Sequence, residues 1–315
     1  MAVQKILLIV NPVSGKMKSR SGLYDILDEL YYLPDGAPAA NRRITVCTTL
    51  HRGHAAELAA SAAEEGFERI LCCGGDGTLN ETINGLMRIP AEARPVLGYI
   101  PAGSTNDFAA SIGLPSALRA AARTAGGENL LSLDVGEFCP TESGEKRFFS
   151  YIASFGAFSE TSYSTSQTAK NVMGHMAYLL GGIRDIGNII PRHLTVETAE
   201  GTRLDGDYIF GAMTNTVSAG GVVKLPAESV SLTDGEFELF LIRQPRTPIE
   251  LNRVVGSLLA GSYEGNPMID FLHAKAARFT FRDATAWSLD GEEAFGGDMV
   301  DICCHPGAVM LARDE

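Results

Sequence analysis

The sequence lacks any apolar run approaching the ~18–20 residues that a membrane span needs. It also lacks a surplus of positive charge: 26 Lys and Arg stand against 38 Asp and Glu, a formal charge of -12. That balance argues against a nucleic-acid partner, because no basic segment outweighs it over a broad face. It argues equally against tight static adsorption to an anionic membrane. Two short basic groups, Lys16/Lys18/Arg20 and Arg42/Arg43, are either solvated surface or points of local contact with such a membrane. The cysteines (Cys47, Cys72, Cys73, Cys139, Cys303, Cys304) show no C-x-x-C spacing, and the histidines are scattered singly. Zinc is therefore not expected, nor a disulfide framework; reduced thiols of a cytoplasmic protein are. The start, Met1-Ala2-Val3-Gln4-Lys5, runs into an apolar strand without the pattern of a secretory leader, which also points to the cytoplasm. No internal repeat or low-complexity segment is visible.

What is present is an ordinary globular composition, 45% hydrophobic and 20% charged, over 315 residues, enough for two domains with separate cores. Up to about residue 135, short apolar runs alternate with helical patterns. Strands are expected at Ile6–Val10, Ile44–Thr48, Ile70–Cys73, Val96–Pro101 and Leu131–Val135. Between them, Leu23, Ile26, Leu27, Leu30 and Tyr31 share a helical face, and Gly53–Glu65 reads as an Ala-rich helix. Fully apolar strands in such alternation predict a parallel sheet covered on both faces. After Gly136 the rhythm changes to period two, with Phe237, Leu239 and Leu241 set against Glu236 and Glu238. That predicts an antiparallel sandwich or barrel-like domain, interrupted by helices at about Lys170–Ile186 and Pro248–Gly261. The expected division is an α/β domain, 1–135 with a return at about 306–315, and a β-rich domain, 136–305.

Three loops carry the chemistry. Gly74-Gly75-Asp76-Gly77-Thr78 lies between a strand and a helix, where glycines admit a bulky anion and free N–H groups favour phosphate. An acid beside phosphate makes sense chiefly if it handles a cation such as Mg2+. An ordinary tight turn is the bland alternative. Gly103-Ser104-Thr105-Asn106-Asp107 has the same design; there Asp107 is either a helix N-cap or a functional carboxylate. Asn11, both loops and Asp134 all follow strand ends, where ligands of parallel sheets gather, so Asp76, Asp107 and Asp134 are candidates to hold a hydrated Mg2+. The third loop, Leu289-Asp290-Gly291-Glu292-Glu293, reads as a reactive carboxylate on a turn or as a solvated hairpin.

With these loops in view, the chain resembles the diacylglycerol kinase catalytic-domain family, which includes soluble bacterial lipid kinases related to sphingosine and ceramide kinases. The resemblance runs through Asn11-Pro12-x-Ser14-Gly15, Gly53-His54-Ala55-x-Glu57-Leu58-Ala59, Gly74–Glu81, Gly103–Ala109, Asp134-Val135-Gly136, Gly220-Gly221, Asp234-Gly235 and Leu289–Glu292. It implies an ATP-dependent kinase of a lipid alcohol, with diacylglycerol the family default and ceramide, sphingoid base or monoacylglycerol the alternatives. An NAD-kinase-like enzyme or a non-catalytic nucleotide-binding regulator is the more distant reading. The active site would lie in the cleft between the domains. Asn11, Ser14, Gly74, Gly75, Gly77, Thr78, Gly103, Thr105 and Asn106 would surround ATP, and Asp76, Asp107 and Asp134 the catalytic Mg2+. Asp290 would take the proton from the lipid hydroxyl, supported by Glu292. Ser231, Asp234 and Glu236 match a second, structural Mg2+ site of some relatives, although Glu236 stands where those relatives have an apolar residue. Asn215–Gly221 departs from the usual Asn-Gly-x-x-x-Gly-Gly-Gly pattern. The resemblance further implies transient contact with the membrane that presents the lipid, and a homodimer.

Overall fold

Ile6 to Val10 is apolar at every position and buried throughout, as a strand flanked on both edges and covered on both faces must be. The structure, a computed structural model, describes residues 3–32, 37, 39, 41–156, 190–219, 223–225 and 230–314. Strand β1 (Gln4–Val10) lies between β2 (Arg42–Thr48) and β3 (Arg69–Gly74), and β4 (Val96–Pro101) follows β3, all parallel. The order β2-β1-β3-β4 reverses direction at β1, which makes the carboxyl ends of β1 and β3 a topological switch point. Among the described residues, α1 (Lys18–Ser21), α2 (Leu23–Tyr31), α3 (His54–Ser61) and α4 (Asp76–Leu86) connect these strands, and α5 (Asp107–Ser111) and α6 (Leu118–Ala125) follow β4. Ile26 and Leu30 of α2 and Ala121, Ala122 and Ala125 of α6 pack with Ile6, Leu8, Leu71 and Ile100 of the sheet in one core. Small alanines on α6 let that helix lie close to the strands.

The chain divides into two compact units, Met1–Leu133 with Gly307–Glu315, and Asp134–Pro306. It leaves the first within β5 (Leu130–Pro140) and returns within β17 (Met299–Ala312), where Leu311 pairs in parallel with Leu97 of β4. The apolar end of β17 thus completes the first unit's sheet.

The second unit is mainly antiparallel. Its strands are β6 (Arg147–Phe149), β7 (Ile152–Gly156), β8 (Arg192–Thr198), β9 (Arg203–Thr214), β10 (Ser218–Ala219), β11 (Val223–Lys224) and β12 (Phe237–Arg243), followed by β13 (Ile269–Ala274), β14 (Ala276–Phe281), β15 (Ala286–Leu289) and β16 (Glu292–Phe295). β9 is long enough to pair with β7, β8 and β12. Trp287 of β15 sits fully buried among Phe138, Phe155, Phe279 and Phe281, with ring centroids 4.9–6.0 Å away. The single tryptophan is thus the middle of an aromatic core.

Helix α7 (Pro248–Ala260) matches the helix expected at Pro248–Gly261 and shows why it forms there. Thr247 and Glu250 make a reciprocal capping box, Pro248 opens the first turn, and Gly261 ends the helix in the left-handed conformation. The helix expected at Lys170–Ile186 lies outside the described residues. Among the described residues no helix is long and apolar enough to cross a membrane.

Candidate active site

Three loops converge at the carboxyl ends of β1, β3 and β4. The Asn11 side chain donates from Nδ2 to Thr78 Oγ1 at 3.0 Å, while its own backbone N–H reaches the Cys73 carbonyl at 2.9 Å. The first loop is thereby tied to the second. The second is tied to the third by backbone approach: a Cβ added to Gly103 would lie 2.6 Å from the Gly75 Cα. A Cβ added to Gly75 would lie 3.2 Å from the Gly103 Cα and 3.6 Å from Ser14 Oγ. These glycines are therefore required by loop-to-loop packing, a reason that spacing alone did not disclose.

Asp76 opens α4 and accepts from the N–H groups of Asp107 at 3.0 Å and Phe108 at 3.4 Å, so it organises the start of α5. Asp107 is not an N-cap. It is the first residue of α5, and Asn106 precedes it in the left-handed conformation with φ of 55°. Burial pushes the Asp107 carboxyl above its usual range, with no counteracting donor or cation among the described residues. A half-buried acid left in this condition is suited to a cation. Asn106 turns its side chain to its own loop: Oδ1 accepts from Gly103 N–H at 2.8 Å, and Nδ2 donates to Gly103 carbonyl oxygen at 3.1 Å. Its part is to shape the loop, whereas Ser104 and Thr105 are exposed. Gly77 and Thr78 occupy the first turn of α4.

Two residues of this site went unassigned in the sequence reading. Tyr99, buried on β4, directs its hydroxyl at Gly74 carbonyl oxygen (3.4 Å) and Asn106 Oδ1 (3.5 Å), joining the two glycine loops from below. Glu81 accepts from Gly53 N–H at 2.8 Å and Ala55 N–H at 3.3 Å, anchoring α4 to the start of α3. Neither could be found by periodicity, since each acts through contacts across the sheet. The neighbouring Cys72 and Cys73 are inert: burial pushes both thiols up to about 12.

Arg42 is held within the first unit. Its guanidinium donates to Leu30 carbonyl oxygen at 3.2 Å and to Gly126 carbonyl oxygen at 3.1 Å, which closes the ends of α2 and α6. The side chains of Lys16, Lys18 and Arg20 lie outside the described residues.

The second unit holds the remaining candidates. Asp134 is fully buried and accepts from Gly235 N–H at 2.7 Å, while its own N–H donates to Leu232 carbonyl oxygen at 2.9 Å. Asp134 thus braces the turn that contains Ser231, Asp234 and Glu236. Within that turn, Asp234 Oδ1 accepts from Glu236 N–H at 3.1 Å, and Ser231 Oγ from Thr233 N–H at 3.4 Å. Glu236 pairs with Lys275 at 4.0 Å.

Asp290 and Gly291 are the two central residues of the hairpin between β15 and β16, both with positive φ (50° and 86°). That conformation is the type I′ turn, for which Asp-Gly is among the preferred pairs. The turn is a hairpin but not a solvated one at Asp290, which is only 3% exposed. Its Oδ2 accepts from Ser150 N–H (2.7 Å) and Ser150 Oγ (2.9 Å), and its Oδ1 from Tyr151 N–H (3.0 Å) and Ile152 N–H (3.1 Å). Four donors replace water around one carboxylate. One of the four, Ser150 Oγ, is a side-chain hydroxyl, and nothing in the sequence near Asp290 signals it. Glu292 begins β16, paired with Leu289.

A parallel α/β sheet with glycine-lined loops at the carboxyl ends of its strands is the arrangement in which phosphate-bearing ligands are commonly held. Comparison narrows the class. Residues 5–138 match the diacylglycerol kinase catalytic domain. The chain is 30% identical over 307 residues to diacylglycerol kinase of Bacillus subtilis, covering 96% of this chain and 95% of that one. It is 32% identical over 276 residues to a probable YegS-like lipid kinase of Chromohalobacter salexigens, covering 88% and 86%. A crystal structure of a putative diacylglycerol kinase from Bacillus anthracis superposes with a TM-score of 0.78 at 24% identity, over 100% of this chain and 96% of that one, and shows the same fold. The chain belongs to the diacylglycerol kinase catalytic-domain family and is a kinase of the bacterial diacylglycerol kinase and YegS-like lipid kinase group.

Proposed function

We propose that this kinase transfers the γ-phosphoryl group of ATP to the free hydroxyl of diacylglycerol, giving phosphatidic acid. The observation that carries the reading is the convergence of Asn11, Ser14, Gly75, Thr78 and Gly103 beside Asp107, whose carboxyl burial has pushed up. Backbone N–H groups at the start of α4, with the Thr78 hydroxyl, would hold the phosphates. Asp76 and Asp107 would hold Mg2+ through its water shell, as that ion keeps several waters and takes few direct carboxylates. When bound, Mg2+ supplies charge neutralisation on the transferring phosphoryl group. Diacylglycerol as acceptor rests on the name of the Bacillus subtilis relative and the match along nearly the whole chain.

Asp290 would receive the hydroxyl proton, with Glu292 supporting it. Because its oxygens already accept from four donors, the simplest route runs through Ser150: the lipid hydroxyl gives its proton to Ser150 Oγ, which gives its own to Asp290. The turn Ser231–Glu236 would hold a second Mg2+ through the Asp234 carboxylate, with Ser231 Oγ and backbone oxygens beside it. The test is ATP consumption with dispersed diacylglycerol, ceramide, monoacylglycerol or NAD as the sole acceptor. Phosphatidic acid as the fastest product is the expected result. Phosphorylation of NAD alone would overturn the lipid assignment, and a faster ceramide or monoacylglycerol reaction would replace the acceptor but not the chemistry.

A further inference from the structure

Glu137 and Cys139 alternate with the core residue Phe138 on β5, and Cys303 and His305 alternate with Cys304 on β17. Residues two apart on a strand share a face, and β5 pairs with β17. Two neighbouring strands thus each present two metal-ligating side chains away from the aromatic core. Three of the donor atoms meet. His305 Nε2 lies 2.9 Å from Glu137 Oε2 and 3.9 Å from Cys303 Sγ, and all three fall within 4.8 Å of one another. We propose that Glu137, Cys303 and His305 form a binding site for a thiophilic divalent cation, zinc(II) in the first place.

The geometry separates this reading from two others. In a proton-relay triad, the imidazole uses one nitrogen toward the thiol and the other toward the carboxylate. Here the same nitrogen, Nε2, faces both, so the three donors converge on a point. A plain His–Glu ion pair would explain the 2.9 Å contact but not the thiol beside it. Tetrahedral zinc with bonds of ~2.0–2.3 Å sets its ligands about 3.4–3.8 Å apart. The sulfur–nitrogen separation of 3.9 Å needs to close by a few tenths of an ångström, the nitrogen–oxygen pair to open by about half an ångström as a metal replaces the shared proton, and the thiol to draw in toward the carboxylate, which lies within 4.8 Å of it. The far carboxylate oxygen, Oε1, is held by Lys146 at 2.9 Å, which fixes the carboxylate in the orientation that leaves Oε2 to the ion. Phe148 covers the His305 ring at 5.8 Å. A thiolate, a neutral imidazole and one carboxylate together neutralise the ion, and a thiolate selects zinc over magnesium. Cys139 or water would complete four-coordination.

Binding must remove the Cys303 proton. Zinc affinity should therefore increase with pH. The site is independent of the phosphoryl-transfer reading, and its test does not use activity. Metal-free full-length protein is titrated with Co2+, whose thiolate complexes absorb by charge transfer, and then with Zn2+ as competitor. A saturable band with one Co2+ per chain, erased by Zn2+ and preserved in Cys47→Ser, is expected. Cys303→Ser should abolish the band, and Glu137→Gln, which keeps the side-chain shape if Cys303→Ser fails to fold, should weaken Zn2+ binding at least ~10-fold. Absence of a thiolate band in the wild type, a band undiminished in Cys303→Ser, or unchanged Zn2+ affinity in Glu137→Gln overturns the proposal.

Discussion

Asp107 separates a structural acid from a functional one. Its folded carboxyl is raised above the unfolded range, so the ionised side chain opposes folding and the cost is relieved as pH falls through the folded value. Asp107→Asn removes that charge at nearly constant shape. In the absence of metal, the variant should melt at the same temperature as the wild type or higher at neutral pH. Turnover should nevertheless fall on the order of 100-fold if the charge positions Mg2+. Because only the ionised acid binds a cation, the Mg2+ needed for half-maximal rate should rise as pH is lowered. A normal rate in Asp107→Asn across a Mg2+ titration would remove this residue from the metal site. Asp290 behaves differently. An amide in its place would turn an NH2 toward at least one of the N–H donors of Ser150, Tyr151 and Ile152. Asp290→Asn is therefore expected to cost about 1–3 kcal/mol of stability as well as activity. Its loss of function alone would not identify a base. Ser150→Ala leaves the backbone donors in place, so a fall in kcat with unchanged KM for ATP and a near-normal melting temperature would mark the hydroxyl as the proton path. Unchanged kcat would exclude it.

At the level of elements, the glycine loops act as a pair. A methyl group on Gly103 would meet the Gly75 Cα at 2.6 Å, closer than real contacts allow, so Gly103→Ala must part the loops after β3 and β4. Affinity for a nonhydrolysable ATP analogue, read by calorimetry, should fall at least ~10-fold, since phosphate N–H geometry depends on both loops. Unchanged affinity in a folded variant would dissociate the loops from nucleotide binding. The strands that carry them were legible in advance: β3 and β4 are apolar runs ending in small residues, and no other element type suits them. The helix starts were less so. Asp107 can also be read as a cap, because a cap and a first-turn residue differ by one position and by a backbone angle that sequence does not display. The β15–β16 hairpin was legible from Asp-Gly, but the burial of Asp290 depends on Ser150–Ile152, 138–140 positions away.

Across the whole molecule, what escaped the sequence is what topology brings together. His305 and Glu137 are 168 positions apart, and scattered histidines gave no hint of the Cys303 cluster. Glu238 is a second case. Period-two alternation set it on a polar face, yet β12 is flanked by β9 and β13 and buried on both sides, leaving Glu238 only 1% exposed. Among the described residues no other residue hydrogen-bonds either carboxylate oxygen; Glu238's own backbone N–H gives partial relief, His273 Nε2 stands 4.0 Å from Oε1, and the charge of Asp234 is also felt. Burial foremost, with Asp234 adding, pushes the carboxyl up to about 8. The unfolded chain releases this proton near the usual 4.5 and the folded chain only near 8, so the fold binds more protons in between. Stability must then decrease as pH rises through that window, by up to about 1.4 kcal/mol per pH unit from this group. The net charge of -12 adds a diffuse trend of its own, which a difference measurement removes. Glu238→Gln cannot titrate, so its melting temperature relative to the wild type should climb steadily from pH 5 to pH 8. With two compact units each built on its own core, melting need not be two-state. The shift should appear in the transition of the unit Asp134–Pro306, followed by the fluorescence of Trp287 at its centre. A difference between variant and wild type that stays constant over this range would mean that Glu238 is ionised in the fold, held by a partner such as protonated His273.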